Sequence, residues 1–173
     1  MVEIPDYLRM ARFMNLDQQL QTLIDEAPQD GSTPQLIKSI APVLGAIAQR
    51  LRHLQYYVVQ TLDQNWVMLT LGHRAQNEPE KNVIYAFPSL KDVSSSPYNL
   101  ADPNLIALPV PVTHILFQML AMDKEYSTIF FETPGNATIG TEVQRSELEV
   151  MIQEYWREQA DAVTETNIPS DIA

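Results

Sequence analysis

The side chains of this chain that are best suited to acid–base chemistry or metal binding are those of three histidines, His53, His73 and His114. None belongs to an H-x-x-x-H or H-E-x-x-H pair, the spacing that puts two imidazoles on one face of a helix. A catalytic or metal site therefore requires the fold to bring them together, with an acid such as Glu132 beside them. On spacing alone, the sequence predicts no catalytic residue, no metal ligand and no enzyme.

Other common reaction chemistries lack their motifs here. The five glycines are scattered without a G-x-G-x-x-G or P-loop pattern, so nucleotide binding through a glycine-rich loop is not expected. No G-x-S-x-G element marks a hydrolase serine, and the lack of cysteine excludes thiol nucleophiles, disulfides and thiolate metal sites. The sequence predicts no cofactor.

Acidic residues outnumber basic ones, mainly in the second part of the chain. The net charge is −11; residues 1–73 hold 5 basic and 7 acidic groups, whereas residues 74–173 hold 6 and 15. Such a field repels nucleic-acid phosphates and anionic lipid head groups, so neither is an expected partner. The charge is compatible with a basic or apolar protein surface, and it also favours solubility.

Neither export nor membrane insertion is indicated. The chain begins Met-Val-Glu-Ile-Pro-Asp, without the basic and apolar regions of a signal peptide, and the lack of cysteine suits a reducing compartment. The longest uncharged run, residues 104–122, contains Pro109 and Pro111 and is better explained by a strand leading into a buried helix. We therefore expect a cytoplasmic protein without membrane insertion.

Hydrophobic periodicity and turn residues predict the order of the secondary structure. Apolar spacing predicts a helix from Asp6 to about Glu26, and Thr33-Pro34 begins a second helix that Pro42 kinks or divides into two. The further predicted elements are strands at 56–61, 66–71 and 83–87, a short edge strand at 105–108, a helix at 111–122, strands at 127–133 and 137–143, and a helix from a Ser146–Glu149 capping box to about residue 160.

These elements predict an α+β fold, with N-terminal helices and an antiparallel five-stranded sheet in the order α-βββ-α-ββ-α, plus an additional N-terminal helix. Three successive strands with short links favour an antiparallel meander. Residues 89–104 form a long irregular stretch of a kind that is often functional. The predicted organisation is a helical extension at 1–32, an α+β domain at 33–160 and a flexible tail at 161–173.

From residue 34 to residue 160 the order of helix, three strands, helix, two strands and helix resembles the type III secretion chaperone-like fold. The resemblance covers about three quarters of the chain and rests on element order, size and acidity. It implies a small, typically dimeric protein that holds an extended segment of a client protein. The additional helix at 6–26, the proline in the next helix and the 89–104 loop depart from that pattern, and no functional residue is assigned by it.

The sequence thus favours a non-enzymatic protein-interaction module, chaperone-like or an assembly factor, with an unidentified protein partner and a homodimer left open. The candidate contact residues are Tyr98 and Leu100 in the long loop and Trp156 in the last helix. Two alternatives remain. One is an enzyme or small-molecule-binding protein with a pocket between the sheet and helix 111–122, under a lid formed by residues 89–104. The other is a structural subunit that docks through helix 6–26.

Overall fold

A computed structural model describes residues 15–72, 80–123 and 125–166. Within these residues the chain forms five helices and six strands. The helices are α1 (Leu16–Asp25), α2 (Thr33–Gln49), α3 (Leu90–Ser94), α4 (Val112–Met119) and α5 (Arg145–Thr166), and the strands are β1 (Gln55–Thr61), β2 (Leu69–Leu71), β3 (Lys81–Phe87), β4 (Leu105–Pro111), β5 (Tyr126–Phe131) and β6 (Gly140–Gln144). None of these helices combines the length and the apolar character needed to cross a membrane.

The strands form one mixed sheet in the order β4-β1-β3-β5-β6, with β2 also paired to β3. β3 and β5 run parallel, with Ile84 opposite Thr128, whereas the other pairs among the described strands are antiparallel. The α+β class is confirmed, but the predicted antiparallel five-stranded sheet is wrong. A parallel pair needs a long crossover connection, and the segment between β3 and β5 provides one because it contains α3, β4 and α4.

Only part of the predicted antiparallel meander forms. β1 pairs with β3 and, over its whole length, with β4. The predicted strand at 66–71 is reduced to the three residues of β2, while Trp66 joins Gln60 of β1 through an isolated bridge. β1 therefore pairs directly with β3 on the side where the prediction placed the second strand, and with the later strand β4 on its other side.

The two faces of the sheet are covered by different layers, because side chains alternate along each strand. On one face, Tyr56, Ile84 and Phe130 pack in a core with α2, α4 and α5, and apolar residues of α1 pack against this core. The rings of Tyr56 and Phe130 meet edge-on, with centroids 5.0 Å apart. This first core joins all the long helices to one side of the sheet.

A second, smaller core lies on the opposite face and includes Phe87, Phe131 and Val93. The predicted irregular stretch at 89–104 contributes to this core and contains α3, whose first turn is capped by Ser89. Because α4 packs on the other face, residues 89–104 do not lie over a pocket between the sheet and helix 111–122. The lid arrangement considered from the sequence is therefore absent from this part of the structure.

The N-terminal helices differ from prediction at two points. Asn15 and Gln18 form a reciprocal capping box that begins α1 at Leu16, and Asn15 has extended backbone. An unbroken helix from 6 to 26 is therefore wrong at Asn15; Asp6 itself lies outside the described residues. α2 continues as one helix through Pro42, so a division into two helices is wrong, whereas a kink stays a prediction. Pro42 is exposed, so the carbonyl that loses its helical donor can be hydrated.

The last helix is longer than predicted. α5 begins at Arg145 and continues to Thr166, beyond the expected end near residue 160. Because Arg145 is already helical, Ser146 is not the N-cap, and the predicted capping box is wrong. Glu149 instead pairs with Arg145, one turn earlier. Residues 167–173 of the predicted tail lie outside the described part of the chain.

Candidate interaction groove

A groove of about 420 Å³ runs between α2, α4 and α5; it is hereafter the helix groove. Its wall is mainly apolar, with a few polar groups at its sides. The lining residues are Leu36, Ile40, Phe117, Gln118, Leu120, Ala121, Arg145, Glu149, Ile152, Gln153 and Trp156. A concave apolar surface with few polar groups is the usual form of a binding site.

The groove exists because the apolar surface of two helices is wider than the core can cover. In α2, Ile37 and Ile40 are buried, whereas Leu36 is 47% exposed. In α5, Ile152 is buried, whereas Trp156, one turn later on the same side, is 42% exposed. On α2 the same apolar stripe is therefore buried at Ile40 and exposed one turn away, at Leu36, beside α4. On α5 it is likewise buried at Ile152 and exposed one turn away, at Trp156.

Trp156 is the candidate contact residue that the structure places at this surface. Its indole Nε1 donates a hydrogen bond of 3.3 Å to the carbonyl oxygen of Ser39 on α2. A ring held in this way has little side-chain freedom left to lose when a partner binds. The partner contact expected for Trp156 stays a prediction, now with a defined position on the groove wall.

One side of the groove is polar. Arg145 and Glu149 form an ion pair on α5, and Arg145 also donates a hydrogen bond of 3.2 Å to the carbonyl oxygen of Leu120. This carbonyl follows the C-terminal end of α4, where the helix dipole favours a cation. Arg145 therefore fixes two walls of the groove relative to each other.

The other two candidate contact residues lie on the opposite face of the sheet. Tyr98 is 7% exposed, donates its hydroxyl to the carbonyl oxygen of Val67 at 3.2 Å and packs edge-on against Tyr85 and Phe87. Burial raises the pKa of Tyr98 to about 12, so its hydroxyl remains a donor. Leu100 packs partly buried against the same core. Because the Tyr98 ring covers apolar surface of the sheet, the ring is not accessible to a partner in this structure.

The candidate histidines have separate surroundings. The Nε2 atom of His114 lies 3.3 Å from the carbonyl oxygen of Gln19, whereas that of His53 lies 2.6 Å from the carbonyl oxygen of Glu132. His73 lies outside the described residues. Within 15–72, 80–123 and 125–166, no three histidine, aspartate or glutamate side chains are grouped to hold a metal ion.

Sequence reasoning missed the polar cluster around Glu132, which is only 8% exposed. Its carboxylate accepts hydrogen bonds of 2.8 Å from the Tyr56 hydroxyl and from the backbone N–H of Arg52. Burial and the neighbouring carboxylate raise the pKa of Tyr56. Both carboxylate oxygens thus have a structural role, because their hydrogen bonds join the α2–β1 turn and β1 to the end of β5. Glu132 follows Phe130 by two residues, a spacing that indicates a carboxylate on the buried side of the strand.

Burial of His114 predicts a pH dependence of stability. Burial lowers its pKa below the ordinary value of 6.5, against the opposing effects of the Gln19 carbonyl and Glu26. Well above pH 6.5 the imidazole is neutral in the folded and in the unfolded chain. As the pH falls through 6.5, the unfolded chain takes up a proton that the folded chain does not, and the free energy of unfolding decreases. His114→Gln should lessen the decrease in unfolding free energy between about pH 7.5 and about pH 5.5, measured by urea titration. An equal decrease in both proteins would contradict this expectation.

Comparison of the chain with protein-family models, with curated proteins and with solved structures finds no significant match. The resemblance to the type III secretion chaperone-like fold therefore remains a prediction from element order. The helix groove, with its apolar lining and the charge around it, is the feature of this structure that indicates a function.

Proposed function

We propose that this protein is a non-enzymatic interaction module whose helix groove binds an apolar segment of a partner protein, as a chaperone-like protein or an assembly factor does. The single observation that carries the proposal is the presence of two large, exposed apolar side chains, Leu36 and Trp156, on two walls of one apolar concavity. Single exposed apolar residues are common on proteins, whereas a concave apolar patch with a polar rim is typical of an interaction site.

The composition of the groove suits the capture of an apolar side chain. A partner residue between Leu36 and Trp156 would also contact Phe117 of α4, and it would displace water from all three surfaces. The hydrogen bond from Trp156 to Ser39 orders the ring before binding, which lowers the entropic cost. The net charge of −11 discourages self-association and unsuitable partners.

Leu36→Ser is expected to weaken partner binding by about tenfold or more, because it removes apolar surface that the partner would bury. The substitution lies at an exposed position, so the far-UV circular dichroism spectrum and the unfolding midpoint should stay close to those of the wild type. The partner is recovered by affinity purification from native extract, identified by mass spectrometry and then titrated against purified wild type and variant. Trp156→Ala should act in the same direction.

Two matched variants control for general surface effects. Leu62→Ser alters a leucine that is 65% exposed after β1, and Val150→Ala alters an apolar residue that is 51% exposed on α5; both lie outside the groove lining. They should retain the partner. Equal binding by all variants, or equal loss in the controls, would place the binding surface outside the groove.

The volume of the helix groove favours a second candidate function, the binding of a small apolar ligand. About 420 Å³ lies within the size range of small-molecule pockets. Native mass spectrometry of the purified protein distinguishes the two candidates. A bound mass that is present in the wild type and lost in Leu36→Ser would support the ligand; its absence alongside a recovered partner would favour the interaction module.

A further inference from the structure

We infer, on the basis of the proposed function, that the occupant of the helix groove is an amphipathic helix of the partner, with apolar side chains on one face and lysine or arginine on the other. The secondary structure of the groove walls indicates a helix. The charge around the groove indicates that its polar face is basic.

The walls of the groove consist of α2, α4 with the turn after it, and α5. The backbone groups of a helix are bonded within the helix, so these walls offer an incoming backbone only a few side-chain groups, not the regular row of donors and acceptors that a strand edge offers. An extended segment would bury most of its own N–H and C=O groups there without partners, at a considerable cost. A helix arrives with its backbone bonds made and presents only side chains. The occupant therefore differs from the extended client that the resemblance to secretion chaperones implies.

The elements around the groove carry excess negative charge. α5 holds six acidic residues against Arg145 and Arg157, and α2 holds one charged residue, Lys38, so these two walls carry a net charge of −3. After α4, the chain leads into the sequence Asp123-Lys124-Glu125, which adds one net negative charge. A basic helix is attracted to this field, whereas a second copy of a chain with net charge −11 is repelled by it.

α5 also extends the apolar wall beyond the groove. Residues 156–163 are all exposed. Val163, 58% exposed, follows Trp156 by about two helical turns and lies on the same side of α5. A partner helix that lies along α5 would cover Trp156 in the groove and Val163 beyond it.

Three synthetic peptides of about 18 residues test the occupant. All carry leucines at i, i+3, i+4 and i+7 spacing; the first has lysine at the polar positions, the second has glutamate, and the third is the lysine peptide with two central prolines. Binding to the full chain is measured by titration calorimetry at low and at physiological salt. The lysine peptide should bind with an affinity that decreases as the salt concentration rises. The glutamate and proline peptides should bind more weakly than the lysine peptide, by about tenfold or more.

Groove variants separate specific docking from general attraction to an acidic protein. Leu36→Ser and Trp156→Ala leave the net charge unchanged and should abolish binding of the lysine peptide, whereas Leu62→Ser and Val150→Ala should retain it. Binding that survives Trp156→Ala would overturn the inference, as would no binding of the lysine peptide. Equal binding of the glutamate peptide would overturn the basic face, and equal binding of the proline peptide would overturn the helix.

The occupant and the proposed function can fail separately. If the purified partner depends on Leu36 but contacts the groove through an acidic or extended segment, the function stands and the occupant is wrong. If partner binding is unaffected by Leu36→Ser, both are wrong. A concentration-dependent dimer that Trp156→Ala dissociates would make a second copy the occupant and would overturn the basic helix.

Discussion

Replacing Gln19 by leucine is expected to destabilise the protein by about 3 kcal/mol, although leucine is of similar size and more apolar. Gln19 is fully buried. Its Nε2 donates to the carbonyl oxygen of Leu54 at 2.8 Å, and its Oε1 accepts from the N–H of Thr113 at 3.2 Å and from the Thr113 hydroxyl at 2.9 Å. A single side chain thus satisfies three polar groups from two distant parts of the chain.

Leucine cannot take over this role, because the beginning of α4 has no cap of its own. The N-cap residue is Pro111, which makes no side-chain hydrogen bond to the helix. The first N–H groups of a helix need acceptors from elsewhere, and Gln19 supplies one from α1. Without it, the N–H and hydroxyl of Thr113 are buried and unsatisfied, at a cost of about 1–3 kcal/mol each.

Urea unfolding followed by far-UV circular dichroism measures this loss. Gln21→Leu is the matched control, because Gln21 is exposed on the same helix and bonds only to its neighbour Asp25 among the hydrogen bonds described for it. The control should change stability by less than about 0.5 kcal/mol. Equal stability of the two variants would mean that the Gln19 network contributes nothing measurable.

The outcome also decides the role of α1. The sequence predicts an extension at 1–32 and considers helix 6–26 as a docking arm that the remaining domain does not need. In the structure, Gln19 connects α1 to Leu54, just before β1, and to α4, while Leu20 and Leu23 pack against the first core. A large effect of Gln19→Leu would make α1 part of the domain and would exclude a separable arm.

Individual helices and strands could be predicted from the sequence where one periodic pattern of apolar residues identifies them. The pairing of the strands in the sheet could not. Tyr56 and Val58 alternate with Tyr57 and Val59, and this is enough to identify β1 as a strand with two apolar faces. The partners of β1 depend instead on the path of some 50 residues after it, since β4 returns to its side only after β3 and α3. Strand pairing of this kind is a non-local property that local patterns do not contain.

The helix groove and the 89–104 loop also depend on packing between distant parts of the chain, so the position of the candidate site could not be predicted from local patterns. Leu36 and Ile40 fit one apolar stripe, and only the position of α4 and α5 leaves Leu36 half outside. Trp156 could be named as a contact candidate, but it lies on the same side of α5 as the buried Ile152, and only the fold shows that it is left half exposed beside α4. Tyr98 could not be placed, because its loop sequence indicates exposure while the apolar surface of Phe87 on the sheet required a cover.

Glu132→Ala is expected to destabilise the protein by about 2–3 kcal/mol, because a buried hydroxyl and a partly buried backbone N–H then lose their acceptor. These are the backbone N–H of Arg52 and the hydroxyl of Tyr56, a residue that is 0% exposed. The bond from Tyr56 to Glu132 joins residues 76 positions apart in the chain. Loss of the carboxylate therefore removes two of the bonds that join the α2–β1 turn to the end of β5, and the contact of His53 with the Glu132 carbonyl oxygen remains.

A double-mutant cycle with Tyr56→Phe isolates this hydrogen bond, since phenylalanine keeps the edge contact with Phe130. Urea unfolding of the four proteins should show a coupling energy of about 1.5–3 kcal/mol, the range for a hydrogen bond to a charged group. Glu125→Ala, at an exposed position before the other end of β5, is the control and should be nearly neutral. A coupling near zero would return Glu132 to consideration as an acid–base group. A strong coupling explains the buried carboxylate by its structural role and leaves the helix groove as the surface that still requires a function.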